Sequence, residues 1–375
     1  MAFRIPLAQP EITDADRNAV FDVLNTPWLS MGPKLTAFEQ SICEYVKSPF
    51  AVAVNSGTSA LHLAFKILDI SEGAEVILPS FAFIAPLNVV LQERLRPVFV
   101  DINPQTFNVE PEVVEAAITS RTKAIVAIHT FGRPLRVDTL REIADQHDIA
   151  LIEDACEALG AEVNGQKAGT FGDVAALAFY PNKQITTGEG GILLTRHERL
   201  AERAQSLRNQ GRNPALDWLQ HTEVGFSYRV SEMNCALGIE QVRRIESTII
   251  RREALAQCYG TKLRGISGIA TPGLKVGYGR ISWFCYVIQF GKEIDRGDRD
   301  WIARSLATKG IETGKYFAPL HRQPIVAALP NKPDLPVTDH VSSRTLALPF
   351  FNQMTEADVE KVCNALSETT KARTR

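Results

Sequence analysis

AFYPNKQITTGEGGILLT, residues 178–195, reads as the end of one strand, a tight polar loop and the start of another strand. Val174–Tyr180 is strand-like, Ile192–Thr195 is apolar again, and Lys183 lies between Pro181 and a turn rich in Thr and Gly. Such runs, bounded by Pro and Gly, are the ordinary signature of strand–loop–strand. Most lysines end in solvent. One held at a strand end inside a compact loop can instead be desolvated into a free amine able to attack a carbonyl carbon.

The sequence on the N-terminal side repeats a strand–helix rhythm. Ala51–Val54, Glu75–Pro79, Pro97–Ile102, Ala124–His129 and Ile149–Ala155 are short β-rich runs, with helical spacing in Ser59–Leu68, Glu110–Ala117 and Asp138–His147 between them. This alternation predicts an α/β fold with a largely parallel, doubly wound sheet. Ligands bind such sheets at the carboxyl ends of the strands, so the loops just after strands are where chemistry is expected. Beyond Gly225 a long helix, about residues 231–253, is expected to lead into a smaller α+β domain with a strand at 283–290 and helices at 299–309 and 355–366. The expected division is a large domain over residues 1–245, including an N-terminal arm, and a small C-terminal domain over 246–375.

Three further features fall at strand ends. In AVAVNSGTSALHLAF (51–65) a strand runs into Asn55-Ser56-Gly57 and a helix begins near Thr58. Free N–H groups at a helix N-terminus make a phosphate seat, and a glycine allows close approach; a plain N-cap turn has the same look. In IALIEDACEALGA (149–161) two acids, Glu153 and Asp154, ride to the carboxyl edge of the sheet, and strand alternation aims only one of them at a site there. A buried carboxylate needs a cationic partner; a protonated pyridine nitrogen, a metal ion or a helix N-terminus would each serve. In LPSFAFIAP (78–86) Phe81 and Phe83 follow directly on a strand, placed to stack on a flat ring or to fill the core.

Composition excludes several classes. The 375-residue chain is 45% hydrophobic and 22% charged with a formal charge of -2, as in ordinary globular proteins. No Lys/Arg run suggests a nucleic-acid partner. No apolar run approaches the roughly 20 residues of a membrane span, and the first residues lack the apolar core of a signal peptide. The six cysteines contain no C-x-x-C pair, which points to reduced thiols in a cytoplasmic protein and away from a disulfide frame or metal site.

Taken together, Lys183-Gln-Ile-Thr-Thr-Gly-Glu-Gly-Gly191 and Glu153-Asp154-Ala155 resemble the DegT/DnrJ/EryC1/StrS sugar aminotransferases, which are fold-type I, aspartate-aminotransferase-like enzymes dependent on pyridoxal 5'-phosphate. The resemblance extends in order through PWLSMGPKLTAFE (27–39), NSGTSALHLA (55–64), PSFAFIAP (79–86), GFSYRVSEMNCALG (225–238), YFAPLHRQP (316–324) and LALPFF (346–351). It implies that Lys183 is the Schiff-base lysine and Asp154 the partner of the pyridine nitrogen. Phe83 would stack on the ring, Gly57, Thr58 and Ser59 would cradle the phosphate, and Tyr316 and His321 would lie at the substrate end. Three positions depart from the usual pattern. Ala178 stands where a serine touches the phosphate, Glu157 where a glutamine lies near the cofactor's phenolic oxygen, and Ser227 where an asparagine reaches the partner subunit's phosphate. The resemblance further implies a homodimer that transfers an amino group from an amino acid, glutamate above all, to a keto group on a nucleotide-linked deoxyhexose. A dehydratase of the same family would carry histidine in place of Lys183; a binding protein would keep the fold without turnover.

Overall fold

The computed structural model describes residues 3–212, 220–329 and 333–373. Strands β1 (Phe50–Val54), β2 (Glu75–Pro79), β3 (Arg96–Val100), β4 (Thr122–Ile128) and β5 (Ala150–Asp154) come first, then the short pair β6 (Glu162–Val163) and β7 (Gln166–Lys167). They are followed by β8 (Val174–Ala178), β9 (Gly191–Thr195), β10 (Ile269–Ala270), β11 (Gly279–Arg280), β12 (Tyr286–Phe290) and β13 (Thr345–Leu348). Seven of these form one sheet in the order β1-β9-β8-β5-β4-β2-β3, parallel except for β9, which runs against both neighbours. The fold is α/β and of the mostly parallel kind read from the sequence. Apolar runs such as Val52–Val54 and Val76–Leu78 are fully buried because helices cover both faces.

The helices are α1 (Asp14–Leu24), α2 (Pro33–Val46), α3 (Gly57–Ile67), α4 (Ala85–Gln92), α5 (Pro111–Ala116), α6 (Val137–Gln146), α7 (Glu198–Arg208), α8 (Glu232–Arg243), α9 (Ile245–Lys262), α10 (Arg296–Thr308), α11 (Pro336–Arg344) and α12 (Glu356–Arg373). On one face α3, α4 and α7 bury Leu61, Leu63, Val89 and Leu207 against the sheet. On the other, α2 and α8 pack Phe38, Ile42 and Cys235, and α6 packs Leu140 and Ile143. A separate core gathers Tyr259, Tyr286, Ile302, Phe350 and Leu366 around β12 and β13.

Two sequence expectations need correction. The long helix expected over residues 231–253 is two helices, because Arg244 leaves the helical region (φ -114°, ψ 12°) between α8 and α9. Its guanidinium turns to the fully buried Asp16 (2.9 Å to Oδ1) and to the carbonyl of Glu11 (3.1 Å), tying the N-terminal arm to this junction. The strand expected from Trp283 begins only at Tyr286. Upstream of it the N–H groups of Ser282 and Phe284 donate to the carbonyls of Gly132 and Phe131 (3.0 and 3.2 Å), so that the segment is stitched to the loop after β4. That stitch carries the C-terminal part to the edge where the strands end.

Candidate active site

The carboxyl ends of β1, β2, β4, β5 and β8 open onto one cavity of about 460 Å³. Its far wall comes from the C-terminal part, through Phe284, Tyr316 and Phe317.

At one end of the cavity α3 begins. Ser56 is its N-cap: its Oγ accepts from the Ser59 N–H (3.1 Å). The next N–H groups carry the positive end of the helix dipole, and Gly57 and Thr58 face the cavity. Gly57 is there for space. A Cβ at that position would lie 2.6 Å from Ala178 Cβ and 3.0 Å from Cys156 Sγ. Gly191 is glycine for the same reason, since its Cβ would fall 2.3 Å from the carbonyl oxygen of Ser56. Ser59 does not reach the cavity: its hydroxyl donates to Asn55 Oδ1 (2.7 Å) and closes the cap from behind.

Alternation along β5 separates the two acids. Glu153 points into the core, where it accepts from the N–H groups of Gly169, Phe171 and Gly172 (2.6–2.7 Å) and faces His129 Nε2 (3.0 Å). His129 Nδ1 accepts from the Leu135 N–H, which places the ring proton on Nε2, toward Glu153. Asp154 points the other way, into the cavity, with Oδ1 accepting from the Cys156 N–H (3.1 Å).

Lys183 lies between these ends. Its loop is self-supporting: Lys183 N–H donates to the Tyr180 carbonyl (2.9 Å), Thr186 Oγ to the Phe179 carbonyl (2.9 Å) and Thr187 Oγ to the Glu189 carbonyl (2.8 Å). Gln184 Nε2 bridges the carbonyls of Glu157 (2.6 Å) and Ser282 (2.8 Å), so the loop is also clamped to the C-terminal part. The lysine Nζ projects into the cavity, 3.6 Å from Glu157 Oε1 and 4.1 Å from the centroid of the Phe284 ring. Burial pushes the Glu157 carboxyl above the ordinary range, against the opposing pull of the Lys183 charge and the Phe131 N–H. Burial, with Asp154 beside it, also holds the Cys156 thiol well above its usual value, which makes it an inert wall group.

Lys183, Asp154, Glu157, Gly57, Thr58, Phe83 and Tyr316 therefore line one cavity. Phe83 stands at its mouth with 60% of its surface exposed. Two other expected residues lie elsewhere. His321 is buried behind the wall, with Nδ1 2.6 Å from Ser80 Oγ and Nε2 3.4 Å from Asp339, and pins the 316–324 segment to the end of β2. Ser227 sits on the exposed surface of the single chain, where its hydroxyl accepts from Arg229 Nη2 (2.7 Å). Thr130, Asn182, Phe284 and Phe317 were not singled out by sequence. Thr130 follows β4 directly and carried the same strand-end signal as Asp154; Phe284 carried none.

The donor set fits pyridoxal phosphate. An anion seat closed to any side chain at Gly57, a carboxylate at Asp154 and an amine at Lys183 match the cofactor's phosphate, ring nitrogen and aldehyde. Thr130 Oγ and Asn182 Oδ1 are buried in the same lining without a hydrogen-bond partner, a costly condition that a polar ligand relieves.

Comparison with known proteins agrees. Residues 10–367 match the model of the DegT/DnrJ/EryC1/StrS aminotransferase family. A GDP-perosamine synthase from Caulobacter vibrioides is 36% identical over 97% of this chain and 98% of its own, and one from Vibrio cholerae is 32% identical over 96% and 98%. The crystal structure of the aminotransferase TlmJ from Streptoalloteichus hindustanus superposes with a TM-score of 0.93 at 30% identity, covering 99% of this chain and all of the other.

Proposed function

The chain belongs to the DegT/DnrJ/EryC1/StrS family of pyridoxal-phosphate aminotransferases, and from that premise we propose that it moves an amino group from glutamate to a keto group of a nucleotide-linked deoxyhexose. A GDP-linked acceptor is the first to test, since two relatives are named as GDP-perosamine synthases. The observation that carries the reading is the meeting of Lys183, Asp154 and the start of α3 in one cavity.

When bound, the cofactor supplies a conjugated electron sink for the charge left on carbon as a proton is removed. Lys183 would hold the cofactor through its aldehyde carbon, and its amine, once free, would take the proton from the donor's α-carbon and return it. Asp154, sheltered at the cavity floor, keeps the ring nitrogen protonated. Gly57 and Thr58 hold the phosphate through the α3 N-terminus. Phe83 stacks on the ring, and Phe284 and Tyr316 exclude water from the face beneath Lys183. A homodimer suits the exposed apolar run Phe21, Leu24, Trp28, Leu29 and Met31 and the half-open Phe83.

The test is a screen of GDP-, UDP- and dTDP-linked keto-hexoses with glutamate, alongside the visible band of the bound cofactor. Loss of both the band and amination in Lys183→Ala is expected. A variant that still aminates a keto-sugar at a sizeable fraction of the wild-type rate would remove Lys183 from its role.

A further inference from the structure

Glu157 is an acid facing the functional lysine from three residues beyond Asp154. Its Oε2 accepts a hydrogen bond from the Phe131 N–H (2.9 Å), which fixes the side chain, and its Oε1 faces Lys183 Nζ at 3.6 Å. The residue is only 9% exposed. The other titratable groups around it are Asp154, Cys156, Cys285 and Tyr316, and none of them is a cation. Lys183 is thus the only positive charge that faces this carboxylate among the described residues, and a single backbone N–H is a weak substitute for it.

That balance changes when the lysine nitrogen is joined to pyridoxal phosphate, an argument that rests on the function proposed above. The cofactor's ring hydroxyl is ortho to the carbon that bonds Lys183, so its oxygen necessarily lies beside that nitrogen. In the bound form this oxygen and the imine nitrogen share one proton, the oxygen carrying the negative charge, so the nitrogen's positive charge is largely taken up by the oxygen and no longer offered to Glu157. An ionised Glu157 would then set two negative oxygens side by side in a buried pocket, the arrangement that forces one of two neighbouring acids to keep its proton. We propose that Glu157 switches ionisation with loading: ionised and paired with the Lys183 ammonium in the cofactor-free enzyme, it takes a proton from solvent when the cofactor binds and donates it as a hydrogen bond to the cofactor's ring oxygen. Loading itself forms the imine between Lys183 and the aldehyde carbon with loss of water; the switch adds only an O–H bond on Glu157 and needs no oxidant or co-reactant. A neutral acid thereby does what an amide would do at this position, at the cost of making cofactor affinity depend on pH.

The test compares wild type with Glu157→Gln, a near-isosteric change that can still accept from the Phe131 N–H. Cofactor is titrated into each apo-protein from pH 6 to 9, in a weakly buffered solution with a pH indicator, and bound cofactor is counted by its visible absorbance. Wild type should take up close to one proton per site more than the variant somewhere in this range. Over the part of this window in which Lys183 is protonated in both apo-proteins, its Kd relative to the variant should rise about tenfold per pH unit, since the cofactor's own ionisations cancel in the ratio. Equal proton counts together with a flat Kd ratio across the range overturn the proposal. Absence of any cofactor band in either protein defeats the functional reading and this inference with it; a normal band with no proton difference defeats the inference alone.

Discussion

Replacing Gly57 by alanine should show how closely the α3 N-terminus is fitted to the strands around it. The glycine's backbone is not in the left-handed region, so alanine carries no dihedral strain; the whole effect is the collision of its methyl with Ala178 Cβ at 2.6 Å and Cys156 Sγ at 3.0 Å. Both lie more than half an ångström inside normal carbon–carbon or carbon–sulfur contact; Ala178 ends β8, and Cys156 stands in the turn just after β5. Overpacking of this kind costs about 1–3 kcal/mol. Since relief requires the helix start to retreat from the cavity, phosphate affinity should fall by about tenfold or more. Ala178→Gly alone should cost about 1 kcal/mol, from lost packing and a strand glycine. The pair tests the geometry: with the nearer colliding atom gone, Gly57→Ala/Ala178→Gly should be less damaged than the sum of the singles by about 1 kcal/mol, in stability and in cofactor Kd alike. Urea denaturation of the apo-proteins and cofactor titration measure the two. Additive singles, or a Gly57→Ala protein with wild-type affinity, would refute the claim that this contact sets the seat.

Asp154→Asn should keep most of its cofactor but lose about two orders of magnitude in kcat, because an amide cannot hold a pyridine nitrogen protonated; a near-normal turnover number would move that role to another group. Thr130→Val should leave the apo-protein as stable or more stable by up to about 1 kcal/mol, since a partnerless buried hydroxyl is removed, yet raise KM for donor or acceptor several-fold. A clear fall in apo-protein stability would show that this hydroxyl is bonded within the chain. Glu246 offers a pH test. Burial alone would raise its carboxyl, but hydrogen bonds from Arg280 and Tyr45 and the charges of Lys167 and Arg280 bring it down to about 2. A depressed acid stabilises the fold above its ordinary value of 4.5 and loses that contribution as pH falls toward 2. Glu246→Gln should therefore melt lower than wild type at pH 7, with the gap narrowing below pH 4.5 and closing only as pH approaches about 2; a gap that persists there would exclude the charge as its cause.

The parts of the site legible in the sequence were those governed by one local rule. Period-two alternation sent Glu153 inward and Asp154 into the cavity, and the strand–loop–strand reading put Lys183 at the same edge. What escaped depended on partners distant in sequence. Ser59 is the exception, grouped with its neighbours by type although Asn55, one helical turn away, claims its hydroxyl. His321 sits in a promising segment, yet Ser80 from the end of β2 holds it behind the wall. The division between α8 and α9 has no Gly or Pro to announce it; it follows from Arg244 reaching an acid 228 residues away. Phe284 reaches the lysine only because its backbone is stitched to Phe131, a pairing that no spacing rule foresees.

In the seven-stranded sheet β9 is the strand that runs against its neighbours, and Gly191 at its start pairs with Val54 on one side and Ala178 on the other. Those two residues end the strands that lead to Gly57 and to Lys183. The span between anion seat and amine is therefore set by two rungs of main-chain ladder, independent of any side chain's rotamer. Mutational tolerance should be uneven as a result. An added residue in the turn at Gly188 lengthens a loop, whereas one inside β9 slips the pairing by about 3.3 Å and turns every side chain of the strand to the other face. Evolution can rewrite the walls of such a pocket for new acceptors while the spacing that grips the cofactor stays fixed in the backbone.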